Sequence, residues 1–205
     1  ILAEASEKAV KVGNKQLQVS IGLEMAKAAL SERDFIEAKE KAKSALALAT
    51  ASQLRGSIIE GKRIFGRASP LSNQKREGIV LCKEALELAE QLKDPWMLSK
   101  TQLTLAETFL ENGDAENALT NALTAQETFT RTLQEDSEWQ AFLILARAMQ
   151  RKGDAVKARD YANRSANSFA KLEQTWGKDN YSNYLSRPDV AYLRQQLQQL
   201  LPDKK

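Results

Sequence analysis

The sequence predicts an all-α, right-handed solenoid of stacked antiparallel helix pairs, closed by a C-terminal capping helix. Three observations carry that expectation. The segments RDFIEAKEKAKSALALA, NQKREGIVLCKEALELA, GDAENALTNALTAQETF and GDAVKARDYANRSANSF align without gaps at a spacing of 40 residues. The aligned columns Ala38, Gly78, Ala118, Ala158; Ala42, Cys82, Ala122, Ala162; and Ala45, Ala85, Ala125, Ser165 are small throughout. No run of alternating β-branched residues marks a strand. Small residues three and four apart share one helix face, so a second helix can approach closely. Neither helix of a pair can bury its stripe alone, and stacked pairs form one continuous core.

The elements follow in order. Helices are expected at 15–31, 34–51, 53–69, 73–93, 95–112, 114–133, 137–152, 154–176 and 188–201. Residues 1–12 are read as the end of a second helix, because Leu2, Ala5 and Ala9 stand 40 residues before Ala42, Ala45 and Ala49. Its partner is missing, so the chain is expected to be a piece of a larger protein. In the first helix of each repeat a large apolar column (Met25, Phe65, Leu105, Leu145) precedes a small one (Ala26, Gly66, Ala106, Ala146). At the joints, Gly113-Asp114 and Gly153-Asp154 supply a left-handed stop followed by an N-cap. Asp34 with Glu37 forms a capping box, Asn73 takes the corresponding site after Pro70, and Asp94-Pro95 opens the third repeat. The four repeats span about 15–54, 55–94, 95–134 and 135–176 of a single domain covering 1–205. Residues 177–205 are the connector and the cap. In the cap, Leu193, Leu197 and Leu200 form one stripe with glutamines outside it. The connector's aromatics are expected to pack back onto the last repeat.

Paired helices with Leu105-Ala106, Leu145-Ala146, Gly-Asp turns and small second-helix columns resemble the tetratricopeptide repeat (TPR) family, in a long 40-residue form. The resemblance covers about residues 15–176. It departs from the usual 34-residue repeat by about one turn of helix, and the second repeat has Asn73-Gln74 where Gly-Asp stands elsewhere.

Composition narrows the chemistry. There is no His, so histidine catalysis and His-ligated metal sites are excluded. The lone Cys82 falls in a small core column and has no His beside it, which favours an inert packed thiol. Glu84, Glu87 and Glu90 read as a solvated helix face, and Asp114 and Asp154 as caps. No GxSxG, Walker loop or GxGxxG occurs. No catalytic residue, cofactor or metal is therefore expected. A net charge of +3 is too small to imply nucleic acid, and no apolar run approaches membrane-spanning length. One buried cysteine fits a reducing cytoplasm.

The TPR resemblance implies a ligand surface on the first helices. Carried onto this sequence it gives Lys27, Glu60, Arg63, Arg67, Lys100, Glu107, Gln140, Arg147 and Arg151. Arg63/Arg67 and Arg147/Arg151 are i,i+4 pairs whose guanidinium groups suit carboxylates, although solvated surface charge remains the alternative reading. The Asn of a chaperone-tail clamp is absent: that column reads Lys27, Arg67, Glu107, Arg147. Leu23, Leu103 and Leu143 are expected to add apolar contacts to a partner. Trp96, Trp139 and Trp176 are expected to pack between repeats. The function expected is a non-catalytic scaffold that binds a protein or peptide through separated acidic anchors. An intramolecular autoinhibitory or self-assembly role, with docking onto a missing N-terminal domain or onto itself, is the alternative; an RNA-binding helical repeat is a remote one.

Overall fold

The computed structural model describes residues 2–70 and 75–201. The positive-φ residues show why the chain reverses where it does. Gly13, Arg33, Gln53, Lys93, Gly113, Leu133 and Gly153 all have φ between 54° and 87°. They recur at multiples of 20 residues, one at each described helix-to-helix turn up to Gly153. At these turns the helix closes in the same way. The residue at positive φ donates to a carbonyl three back (Gly113 to Leu110, 3.0 Å), and the next residue reaches five back (Asp114 to Phe109, 3.0 Å). Those two bonds satisfy carbonyls that the helix leaves without a donor, and they require the left-handed backbone. The following residue then caps the next helix: Asn14, Asp34, Asp114 and Asp154 each accept from the amide three residues on, at 2.9–3.1 Å. Asn73 lies outside the described residues.

The resulting helices are α1 (Leu2–Lys11), α2 (Lys15–Ser31), α3 (Phe35–Ala51), α4 (Arg55–Ala68), α5 (Lys75–Leu92), α6 (Pro95–Glu111), α7 (Ala115–Arg131), α8 (Glu135–Arg151), α9 (Ala155–Trp176), α10 (Lys178–Leu185) and α11 (Pro188–Leu200). Among the described residues there is no strand. Nine of these match the expected helices within two residues and α1 matches the half-repeat; α10 was expected as connector.

The chain divides into two units, 1–94 and 95–205. In the first, α1 packs on α2, α2 on α3, α3 on α4 and α4 on α5, and the first helices α2 and α4 also touch. The small columns set these distances. A Cβ built on Gly22 would stand 3.1 Å from the Ala45 Cβ, and one on Gly61 3.1 Å from the Leu46 Cβ. Between α4 and α5 the approach is closer still. A Cβ on Gly78 would lie 2.7 Å from the Gly66 carbonyl oxygen, so a side chain there is sterically excluded. The core gathers Val19, Leu23, Ala42, Ala45, Ile64 and Phe65.

In the second unit α6 packs on α7, α7 on α8 and α8 on α9, and the first helices α6 and α8 touch. Second helices show the same burial pattern in both units. Ala38, Ala42, Ala45 and Ala49 are buried, as are Ala118, Ala122, Ala125 and Phe129 80 residues further on in the register. α11 lies against both α8 and α9, the place a fifth first helix would take. It buries Val190, Leu193 and Leu197 and leaves Gln195, Gln198 and Gln199 exposed, as a solvating end requires.

Candidate partner-binding surfaces

Within each unit the first helices neighbour one another, so their half-buried polar residues face a common side. In the first unit that face is built around Glu60. Its carboxylate meets the Arg63 guanidinium at 3.0 Å and the Lys27 ammonium at 3.2 Å, and Lys27 also holds Glu24 at 2.9 Å. Burial pushes the Glu60 carboxyl up, but Arg63 and Lys27 outweigh it and carry its pKa below the usual value. Burial lowers Lys27, and Glu60 with Glu24 more than reverses that. Arg67 is half-buried one turn further on. Arg63 is thus turned toward Glu60, three residues back on its own helix. Its Nε is buried and has no hydrogen-bond acceptor among the described residues.

In the second unit the first helices are joined by two ion pairs. Lys100 reaches Asp136 at 3.3 Å and also bonds Ser137; Arg147 reaches Glu111 at 2.8 Å. The Lys100 ammonium lies 5.8 Å from the ring centroids of both Trp96 and Phe129. Glu107 is half-buried on α6 and Arg151 is exposed at the end of α8. The i,i+4 spacing that groups Arg147 with Arg151 places them on one helix, but Arg147 is committed to Glu111. Gln140 donates to the Asp136 carbonyl at 3.1 Å and to the Tyr184 hydroxyl at 3.4 Å. Asp136, Glu111 and Tyr184 were not singled out in the sequence. Their offsets of 36 and 44 residues from their partners cross helices, where periodicity along one helix carries no signal.

Two expectations are corrected. Leu23, Leu103 and Leu143 are buried in the cores and present nothing to a partner, because their helix is flanked on both sides by other helices. Trp96 is 50% exposed rather than packed between repeats. Its position in the first turn of α6 lets the indole lie across the surface beneath Lys100. Trp139 is buried against Phe169, edge to face at 4.7 Å, and Trp176 packs on Tyr184 at 5.1 Å. Cys82 is buried in its small column.

Among the described residues no group of three or more His, Cys, Asp or Glu could hold a metal ion, and no helix is long and apolar enough to cross a membrane. No family model matches the chain, and no curated protein does. Solved structures do. A protein of Podosopora anserina, described as a kinesin light chain with nearly identical TPR-like repeats, superposes with a TM-score of 0.61 at 16% identity. The match covers 89% of this chain and 94% of that one, and a single-substitution variant of the same protein gives the same values. At that identity the likeness concerns architecture. The paired helices, their repeating turns and this superposition together make the chain an all-α solenoid with the TPR-like helical-repeat fold.

Proposed function

We propose that the chain is a non-catalytic scaffold that binds another protein or a peptide on the first-helix faces of its units. The observation that carries this reading is the alignment of first helices side by side, α2 with α4 and α6 with α8, each lined by half-buried charged residues. Helical repeats of this kind create extended binding surfaces. The residues assigned to the partner are Lys27, Arg63, Arg67, Lys100, Glu107, Arg147 and Arg151.

The ion pairs refine the chemistry. An acidic side chain of the partner would exchange with Glu60 or Glu111 rather than meet a bare cation. Such exchange is worth only about 0–1 kcal/mol per pair, so charge sets placement and apolar burial sets affinity. Trp96, half exposed beside Lys100 on α6, is an apolar anchor on that face. The test is affinity capture with the intact chain and with the variants Arg63→Ala/Arg67→Ala and Trp96→Ala. Capture of a specific partner that both variants weaken, with unchanged helicity, supports the assignment. Undiminished capture by both moves the site off these faces.

A further inference from the structure

The link between α9 and α11 is longer than the architecture needs. Where a second helix passes to the next first helix elsewhere, the connection is two or three residues: 52–54 between α3 and α4, 93–94 between α5 and α6, and 132–134 between α7 and α8. α11 sits where a fifth first helix would sit, yet it is reached through residues 177–187, which include α10. The surplus segment begins at Gly177, with φ 76° and ψ 163°, and ends just before Pro188, the first residue of α11. Nothing lies within 4 Å of a Cβ built on Gly177, so the backbone conformation, not space, calls for glycine.

α10 is held by one side only, through Tyr184 with the half-buried Tyr181 and Leu185. Lys178, Asp179, Asn180, Ser182 and Asn183 are exposed, while Tyr184 is buried. The Tyr184 ring packs on Trp176 at 5.1 Å and on Phe169 at 6.3 Å, and its hydroxyl accepts from the Trp139 indole at 3.1 Å and from Gln140 at 3.4 Å. Gln140 occupies the register of Glu60 and Lys100, 80 and 40 residues earlier, each of which bonds the neighbouring first helix. Tyr184 therefore fills a position on the first-helix face that an incoming side chain could fill. Burial holds its hydroxyl neutral, with a pKa pushed up to about 12.

We propose that α10 is an intramolecular strap: through Tyr184 it occupies the end of the first-helix face, on Trp139 and Gln140, and its release opens that seat to a tyrosine-bearing segment of a partner. The proposal rests on the reading of the first helices as the partner surface. The occupant is specified by what the seat holds now, an aromatic ring edge-on to Trp176 with an oxygen placed to accept from two donors.

Two measurements on the full chain test the strap without any partner, so its failure is distinguishable from failure of the scaffold reading. In native-state hydrogen exchange at low denaturant, amides of residues 178–186 should exchange at least about tenfold faster than those in the middle of α8 and α9, through an opening short of global unfolding. Tyr184→Phe leaves the buried Trp139 indole N–H without its acceptor, while Gln140 keeps the Asp136 carbonyl, and should raise that opening roughly tenfold to hundredfold, with α8 unchanged. In the second, a labelled peptide copying residues 176–187 should bind the Tyr184→Ala chain. A peptide with alanine in place of its second tyrosine should not. Exchange of 178–186 in step with α8 and α9 would make α10 an ordinary part of the core and overturn the proposal. So would failure of the peptide to bind a Tyr184→Ala chain that keeps its helicity. Should that variant lose helicity, the exchange of the native chain and of Tyr184→Phe decides.

Discussion

Glycine-to-alanine substitution gives opposite signs at two helical positions of the first unit, and the difference isolates the close packing of α4 and α5. In a helix interior the change gains up to about 1 kcal/mol from backbone entropy alone. At Gly56, near the start of α4, a Cβ meets nothing within 4 Å, so Gly56→Ala should stabilise by some of that amount. At Gly78 the Cβ would stand 2.7 Å from the Gly66 carbonyl oxygen, 3.0 Å from the Ser69 Cβ and 3.1 Å from the Pro70 Cδ. None of these is the far end of a flexible side chain. Relief requires α4 and α5 to separate, with an overpacking cost of roughly 1–3 kcal/mol. After the propensity gain, Gly78→Ala should destabilise by about 1–2 kcal/mol, lowering Tm by roughly 2–8 °C for a chain of this size. Urea unfolding of both variants beside the parent chain measures this. The reasoning fails if Gly78→Ala is as stable as the parent, or if the two variants shift in the same direction.

Four other outcomes follow from single features. Leu133 holds φ 56° while 85% exposed, so Leu133→Gly should stabilise by about 0.5–1 kcal/mol, the left-handed penalty less the entropy of glycine; a lower urea midpoint would contradict it. Ala118→Leu should cost about 1–3 kcal/mol in a fully buried small column, whereas half-buried Ala115→Leu should change stability by less than about 0.5 kcal/mol, and equal melting curves would refute the register. The pKa of Glu60 is lower in the fold than its ordinary 4.5, so its contribution is complete above that value and is lost as pH falls through the folded one; Glu60→Gln should flatten the acid limb of stability against pH. Tyr184 runs the other way: its folded pKa is raised from 10 to about 12, so its contribution is present below pH 10 and lost on rising toward 12, and tyrosinate absorbance should show it ionising late, a phase that Tyr184→Phe removes.

The array was legible because its determinants are local and repeat. Small columns fix helix approach, and Asp34, Asp114 and Asp154 announce their helix starts as both type and position. The second-to-first turns were harder. Gln53, Lys93 and Leu133 adopt the left-handed conformation without being glycine, so composition is silent there, and the 20-residue spacing from Gly13 and Gly113 is the signal that finds them. α10 escaped because Asp, Asn and Ser crowd its eight residues and weaken helix propensity, while its anchor, Tyr184, acts 45 residues from Trp139. The candidate surface was legible as a set of positions, not as a charge pattern. Lys27, Arg63, Lys100 and Arg147 lie on first helices; Arg63 meets Glu60 three residues back on its own helix, but Lys27 meets Glu60, Lys100 meets Asp136 and Arg147 meets Glu111 only once the helices stack.

The scaffold reading is tested most directly by lysine-reactivity footprinting of the chain with and without a captured partner. Lys27 and Lys100 lie on first helices, Lys43 and Lys157 on the exposed sides of second helices. Binding on the first-helix faces should lower acylation of Lys27, Lys100 or both and leave Lys43 and Lys157 unchanged. Protection of Lys43 and Lys157 with Lys27 and Lys100 still reactive would contradict it.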